Sequence, residues 1–226
     1  QAISARVSIR GFKPDPVPRV VIDEILTIAI RAPSGKNVQA WEIAVLTGDV
    51  LDRIRVDNVA AFMAGEAERS DVPISYPEGI YREREVEIAK TVLNVMGIRR
   101  EDKEKRVAWW QRGFRYFDAP VAVLVMCDQN IDTLLAHHDI GSLSQTLCLA
   151  ALSYGLGTCI VRQGVLYPDA IRRHTDITKD KSIISAIALG YPDPDFPANR
   201  IHSPRLTVNE ITTWYGFGQT AWLPNS

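Results

Sequence analysis

Arg6, Ser8 and Arg10 open the chain with a spacing that could do chemistry. In an extended segment alternate side chains share a face, so two guanidiniums and a hydroxyl point one way while Val7 and Ile9 turn inward. Such a face suits a phosphate, which guanidiniums hold through charge-assisted, often bidentate, hydrogen bonds. Two ordinary surface arginines would produce the same pattern. A second cluster, Pro33-Ser34-Gly35-Lys36-Asn37-Val38-Gln39, offers side-chain donors and acceptors suited to a heterocycle edge or to sugar hydroxyls. Its glycine permits close backbone approach, although a simple capped loop would look alike.

Other chemistries lack their residues. Gly155-Leu156-Gly157 is half a dinucleotide fingerprint, with Ile160 at the third glycine position, and it follows a helical rather than a strand pattern. Gly35-Lys36 has neither the upstream glycine nor the following hydroxyl of a P-loop. The chain has no G-x-S-x-G elbow and no H-E-x-x-H pair. His137 and His138 are adjacent, so on a helix they diverge by about 100° and do not share a metal; none is expected.

The elements that must position the two clusters follow from periodicity. Apolar residues at 21, 22, 25, 26 and 29 predict a helix over Val20 to Arg31, opened by proline and closed at Ala32-Pro33. Strands are predicted at Trp41 to Thr47, Val121 to Cys127, Thr158 to Val161 and Ile183 to Leu189. The unbroken apolar run of the second predicts a central position. A long helix is predicted over about 132 to 154, ended by Gly155, with shorter ones near 168 to 174 and 208 to 215 before an aromatic tail. The segment from about 60 to 117 differs in character. Residues 82 to 106 are mostly charged, yet Val86, Ala89, Leu93 and Met96 keep a helical apolar stripe. A solvated helical excursion is the plain reading; the aromatic residues around it, among them Tyr81, Trp110 and Phe114, could instead form a lid over a flat ligand.

With 226 residues and no repeat or linker, the pattern is one α+β domain over 1–226. A net charge of −1 argues against non-specific nucleic-acid binding, so anion binding must come from local basic clusters. Cys127, Cys148 and Cys159 form no C-x-x-C pair and lie in apolar segments, which predicts reduced thiols and a cytoplasmic protein; no stretch resembles a targeting segment. Ile140 to Val161 carries no Asp, Glu, Lys or Arg and is long enough to span a bilayer. Its serines, Gln145 and Tyr154 favour a helix buried on nearly all sides over a membrane span.

The order of the pieces is more specific than any one of them. R-x-S-I-R-G-F, then D-P-V-P, a helix, and A-P-S-G-x-N-x-Q-x-W before a strand resemble the opening of the nitroreductase superfamily. Phe114 to Val121, Asp139-x-Gly141-x-x-x-Gln145, Tyr154-Gly155-Leu156-Gly157-Thr158-Cys159, Leu189-Gly190-Tyr191-Pro192 and a basic segment from Asn199 to Arg205 follow in order. The resemblance implies an α+β fold with a central, mainly antiparallel sheet flanked by helices, in an intertwined homodimer with FMN between its subunits. It implies that Arg6, Ser8, Arg10 and Arg205 bind the FMN phosphate and ribityl chain. Pro33, Ser34, Gly35 and Asn37 would reach the flavin from the partner subunit, and Ile160, Val161 and Arg162 would lie beneath its ring. The uncharged helix after Asp139 would form the dimer core. Tyr81, Trp110 and Phe114 would contact a small aromatic substrate. The implied activity is ping-pong reduction of nitroaromatic or other electron-poor aromatic compounds, with NADH or NADPH as donor and no obligatory catalytic side chain. Dehalogenation, ene reduction, flavin fragmentation, substrate oxidation and non-enzymatic flavin binding stay open on the same scaffold. Arg162-Gln163 stands where some members have Glu-Gly, and a cation there would favour an anionic substrate or a reduced-flavin anion.

Overall fold

The structure is a computed structural model that describes residues 2–216. The elements run α1 (Ala2–Ala5), α2 (Arg19–Ala29), β1 (Trp41–Thr47), α3 (Gly48–Met63), α4 (Gly79–Val95), α5 (Lys103–Phe114), β2 (Val121–Asp128), α6 (Leu134–Leu152), β3 (Gly157–Val161), α7 (Pro168–Arg172), β4 (Lys181–Gly190) and α8 (Val208–Ile211). The strands form one antiparallel sheet in the order β1-β2-β4-β3.

Period-2 alternation along β2 decides what covers each face. Val121, Val123, Val125 and Cys127 join a core with Ile22 and Ile25 of α2 and Leu143 and Leu147 of α6. Ala122, Leu124 and Met126 face the other way, against Leu51 and Ile54 of α3, Tyr116, Phe117 and Ile171. Helices on both faces explain why β2 and β4 read as apolar runs although the sheet is antiparallel. Thr133 caps α6, its hydroxyl accepting from the Ala136 N–H at 3.2 Å, and Gly155 ends the following turn at φ +68°, a left-handed conformation that glycine adopts without a Cβ clash.

Several boundaries differ from expectation. The N-terminal segment forms no continuous strand: it touches the sheet through a bridge from Ser8 to Thr158 and another from Phe12 to Pro192. The helix after Pro168 stops at Arg172, and the last one covers Val208–Ile211, so its expected final turn is extended chain. The rest of the aromatic tail, 217–226, lies outside the described residues. The charged excursion is two helices, because Gly97 turns the chain at φ +64° between α4 and α5. Its packed stripe is also rotated from the expected one. Ile88, Val92 and Met96 meet Ala198 and Ile201, leaving Val86, Ala89 and Leu93 to face open cavities.

Candidate active site

Strand β3 lies at the sheet edge, and the N-terminal segment runs beside it, held where the Ile9 N–H donates to the Thr158 carbonyl at 2.9 Å. This approach is close because Gly157 has no side chain: a Cβ there would sit 2.5 Å from Ile9 Cγ1. Ile9 is buried, so Arg6, Ser8 and Arg10 turn outward together. They line a cavity of about 470 Å³ whose opposite side is Gln145, His202, Ser203 and Arg205. Arg205 crosses from the C-terminal segment, its guanidinium donating to Ser203 Oγ at 2.8 Å. The expected cationic cluster is therefore assembled from both ends of the described chain.

Arg10 and Ile88 also line a second cavity, of about 510 Å³, which adjoins the first to make up a trough. Its floor is Cys159, Ile160, Val161 and Arg162, and its roof is Ala89, Leu93 and Trp110 of the lid helices. Ile160 is 47% exposed in the middle of an otherwise buried strand, an apolar surface left open at the bottom of the trough. The neighbouring Cys159 side chain turns into the core, where burial pushes its thiol up, partly opposed by Arg10.

Two residues that sequence reasoning did not single out hold the Arg10 backbone. Asn199 accepts at Oδ1 from the Arg10 N–H (2.7 Å) and the Gly11 N–H (3.1 Å), and donates from Nδ2 to the Gly11 and Asp193 carbonyls. Arg112 reaches from α5, donates to the Arg10 carbonyl at 3.0 Å and pairs with Asp118 at 3.0 Å. Burial pulls its guanidinium below its ordinary value, and Asp118 opposes that shift. Asn199 was visible only as the start of a basic segment; nothing in the sequence marks Arg112 among so many arginines. Asn58, fully buried, donates to the Phe114 and Gly164 carbonyls and so joins α3 to the end of the lid and the loop after β3. Trp109, Phe117 and Gln163 also line the trough and were not foreseen.

Of the three residues expected to contact a substrate, Trp110 lines the trough, and Phe114 and Tyr81 do not. Phe114 is 1% exposed and stacks on Phe62 at 4.7 Å and Tyr167 at 5.6 Å, because its position on α5 faces α3 and the core. It packs with Ala61, Leu166 and Tyr167 beneath the lid and does not line the trough. Tyr81 lies in the exposed first turn of α4, under the Arg84 guanidinium at 5.7 Å, and does not line the trough. Pro33, Ser34, Gly35 and Asn37 do not line it either. Their loop is held by the Gly35 N–H donating to buried Asp139 at 2.9 Å, and Lys36, Asn37 and Gln39 all take φ near +50°. For residues with a Cβ that conformation is strained and marks a loop held for a purpose.

A cationic cradle, a flat apolar floor and an aromatic roof define a site for a flat heterocycle that carries a phosphate, of the type flavoproteins build. The comparisons agree. A family model described as "Nitroreductase family" matches residues 3–191. The solved FMN- and NADPH-dependent nitroreductase NfnB of Sphigopyxis sp. strain HMH superimposes with a TM-score of 0.88 at 32% identity, covering 96% of this chain and 98% of that one. A 4-nitrobenzoate reductase of Nocardioides sp. is 31% identical over 94% of this chain and 87% of its own length. The chloronitrobenzene nitroreductase of Comamonas testosteroni is 29% identical over 94% of each. This chain belongs to the nitroreductase family, and its α+β fold is the nitroreductase fold. Among the described residues no helix is long and apolar enough to cross a membrane, so the uncharged stretch from Ile140 is a helix of the fold.

Proposed function

We propose that the chain is an FMN-dependent oxidoreductase that takes electrons from NADPH or NADH and reduces nitroaromatic or other electron-poor aromatic compounds. The observation that carries the reading is the trough itself: Arg6, Ser8, Arg10 and Arg205 at one end, adjoining at Arg10 a cavity of about 510 Å³ lined by Ile160 and Val161. The donor set fits FMN, since guanidiniums and a hydroxyl match a phosphate monoester and Ile160 matches a flat ring face. Bound there, FMN supplies the two-electron chemistry.

The residues of the chain bind, orient and shield. Arg6, Arg10 and Arg205 would neutralise the phosphate, and Ser8 would add a hydroxyl donor. Asn199 and Arg112 hold the Arg10 backbone so that its side chain is aimed before the ligand arrives. Ile160, Val161 and Arg162 line the cavity that would take the ring, and Arg162 would place a cation beside it. Trp110 lines the same cavity, where a donor and then an acceptor would meet the exposed ring face. Donor and acceptor therefore take turns at the same face, the condition for a ping-pong cycle.

A homodimer completes the reading. One side of α6 leaves Leu134, Leu135, His138, Gly141 and Gln145 exposed, a surface without charge that suits a second copy. Pro33, Ser34, Gly35 and Asn37, which do not line the trough of their own chain, would then meet the flavin of the partner. The lid remains part of a single domain over 1–226, and the three buried thiols suit the cytoplasm.

The purified protein should show flavin bands that bleach under anaerobic NADPH and return on adding 4-nitrobenzoate without oxygen. A flavin that NADPH and NADH both leave oxidised, or a protein that retains no FMN when reconstituted, would remove this reading.

A further inference from the structure

Beside the trough, between α4 and α5, lies a second groove of about 650 Å³ that shares Glu85, Ala89, Leu93 and Trp110 with it. The lining cations are Arg82, Lys90, Arg99, Arg100 and Arg106, facing the single carboxylate Glu85. On a chain of net charge −1 this is a marked local excess. Glu85 is already engaged by Arg82 at 2.6 Å, and Arg99 meets Glu101 only at 3.9 Å with both side chains exposed. Asp102, at the start of α5, is taken by Lys105 at 3.8 Å and by the Arg99 N–H. Among the described residues Lys90, Arg100 and Arg106 make no ion pair and no side-chain hydrogen bond. A charge run on a convex helix is ordinary solvated surface; these cations instead line a concavity that borders the trough at Glu85, Ala89, Leu93 and Trp110.

We propose that this groove binds the 2′-phosphate-bearing adenosine end of NADPH and makes the enzyme select NADPH over NADH; the inference deepens the reductase reading above and rests on it. The ligand must have one flat end that reaches the trough floor and a second end that extends past Trp110. A nicotinamide dinucleotide has that form. The two donors differ by one phosphate monoester of nearly two negative charges, the group that clustered guanidiniums recognise. Trp110 is 53% exposed at the junction and offers its indole face to a base. Val86, Leu93 and Ile98 give the groove an apolar wall, so the ionic contacts form beside low-dielectric surface.

The test uses the FMN-loaded enzyme and a probe without nicotinamide. In calorimetric titrations adenosine 2′,5′-bisphosphate should bind at least about tenfold more tightly than AMP, and the gap should shrink with added salt. Arg100→Ala/Arg106→Ala should bring the two affinities to parity, with the NADPH-to-NADH ratio of kcat/KM falling by a similar factor. Lys90→Ala, a fully surface change, should narrow the gap by less and guards against a folding defect in the double variant. Equal affinities in the unmodified enzyme, or a gap that survives these variants, would overturn the groove assignment. The readouts separate the two readings: a gap with no flavin reduction by either nucleotide supports the groove and sinks the reductase, whereas reduction without a gap sinks the groove alone.

Discussion

The floor of the trough rests on β3, which is joined through β4 to a sheet whose central strands are buried along nearly their whole length, whereas in its roof helix α4 Val92 alone is buried. On the floor side, positions are set by backbone pairing and by Asn199, whose amide makes three hydrogen bonds to Arg10 and Gly11 and a fourth to the Asp193 carbonyl. On the roof side, α4 is anchored by one narrow stripe against Ala198 and Ile201, and most of its contacts are with solvent. Few buried contacts mean low local stability. On the proposed function, the wall that would hold the cofactor is the firmly paired one, and the wall past which donor and acceptor would exchange is the loosely held one.

The sharpest way to break that division is Phe114, which belongs to a lid helix by sequence but to the core by packing. Phe114→Ala should cost about 3–5 kcal/mol in chemical denaturation, as for other buried aromatic truncations. A cost below about 1 kcal/mol would return Phe114 to the mobile wall. Asn199→Ala should weaken FMN binding and lower stability by about 1–3 kcal/mol, because it leaves the Arg10 and Gly11 backbone groups without their partner; unchanged FMN retention would show that the floor does not depend on it. Trp110→Ala should change stability by less than about 0.5 kcal/mol while shifting the KM for an aromatic acceptor several-fold. Loss of FMN in that variant would mean that the roof, too, holds the cofactor.

The smallest expected effect is on pH. Burial, with Asp132, Asp128 and Glu42 nearby, pushes the Cys127 thiol up to about 11 from an ordinary value near 9; burial also raises Cys148 and Cys159. Above pH 9 the unfolded thiols lose protons that the folded ones keep, so stability falls as pH rises from there. Denaturation midpoints at pH 8 and pH 10 should differ in that direction, and more weakly in Cys127→Ser.

The rigid wall was legible in the sequence and the loose one was not, for a physical reason. β1 matched its expected residues, and β2 and α6 came within a few, because a strand or helix covered on its neighbours' apolar faces must declare that in its own pattern. Arg6, Ser8 and Arg10 share a face because Ile9 has to be inside. In the lid, Val86, Ala89, Leu93 and Met96 made as good a helical stripe as Ile88, Val92 and Met96; the choice was settled by the C-terminal segment that brings Ala198 and Ile201 underneath. Phe114 and Trp110 are equally aromatic and, one turn apart, lie on nearly the same side of α5; their fates diverge because Phe62 and Tyr167 pack around Phe114 at the end of the helix, whereas Trp110 borders the cavities beside α4. Arg112 shows no local signal, since its acceptor, the Arg10 carbonyl, lies at the other end of the chain.

The central claim, that Arg6, Ser8, Arg10 and Arg205 form a phosphate cradle for the flavin, is tested most directly by the affinity difference between FMN and riboflavin. That measurement isolates the phosphate from the ring. The apoprotein should bind FMN on the order of 100-fold more tightly than riboflavin, and Arg10→Ala should remove most of that gap while riboflavin affinity stays put. Equal affinities in the unmodified protein, or a gap untouched by Arg10→Ala, would contradict the account.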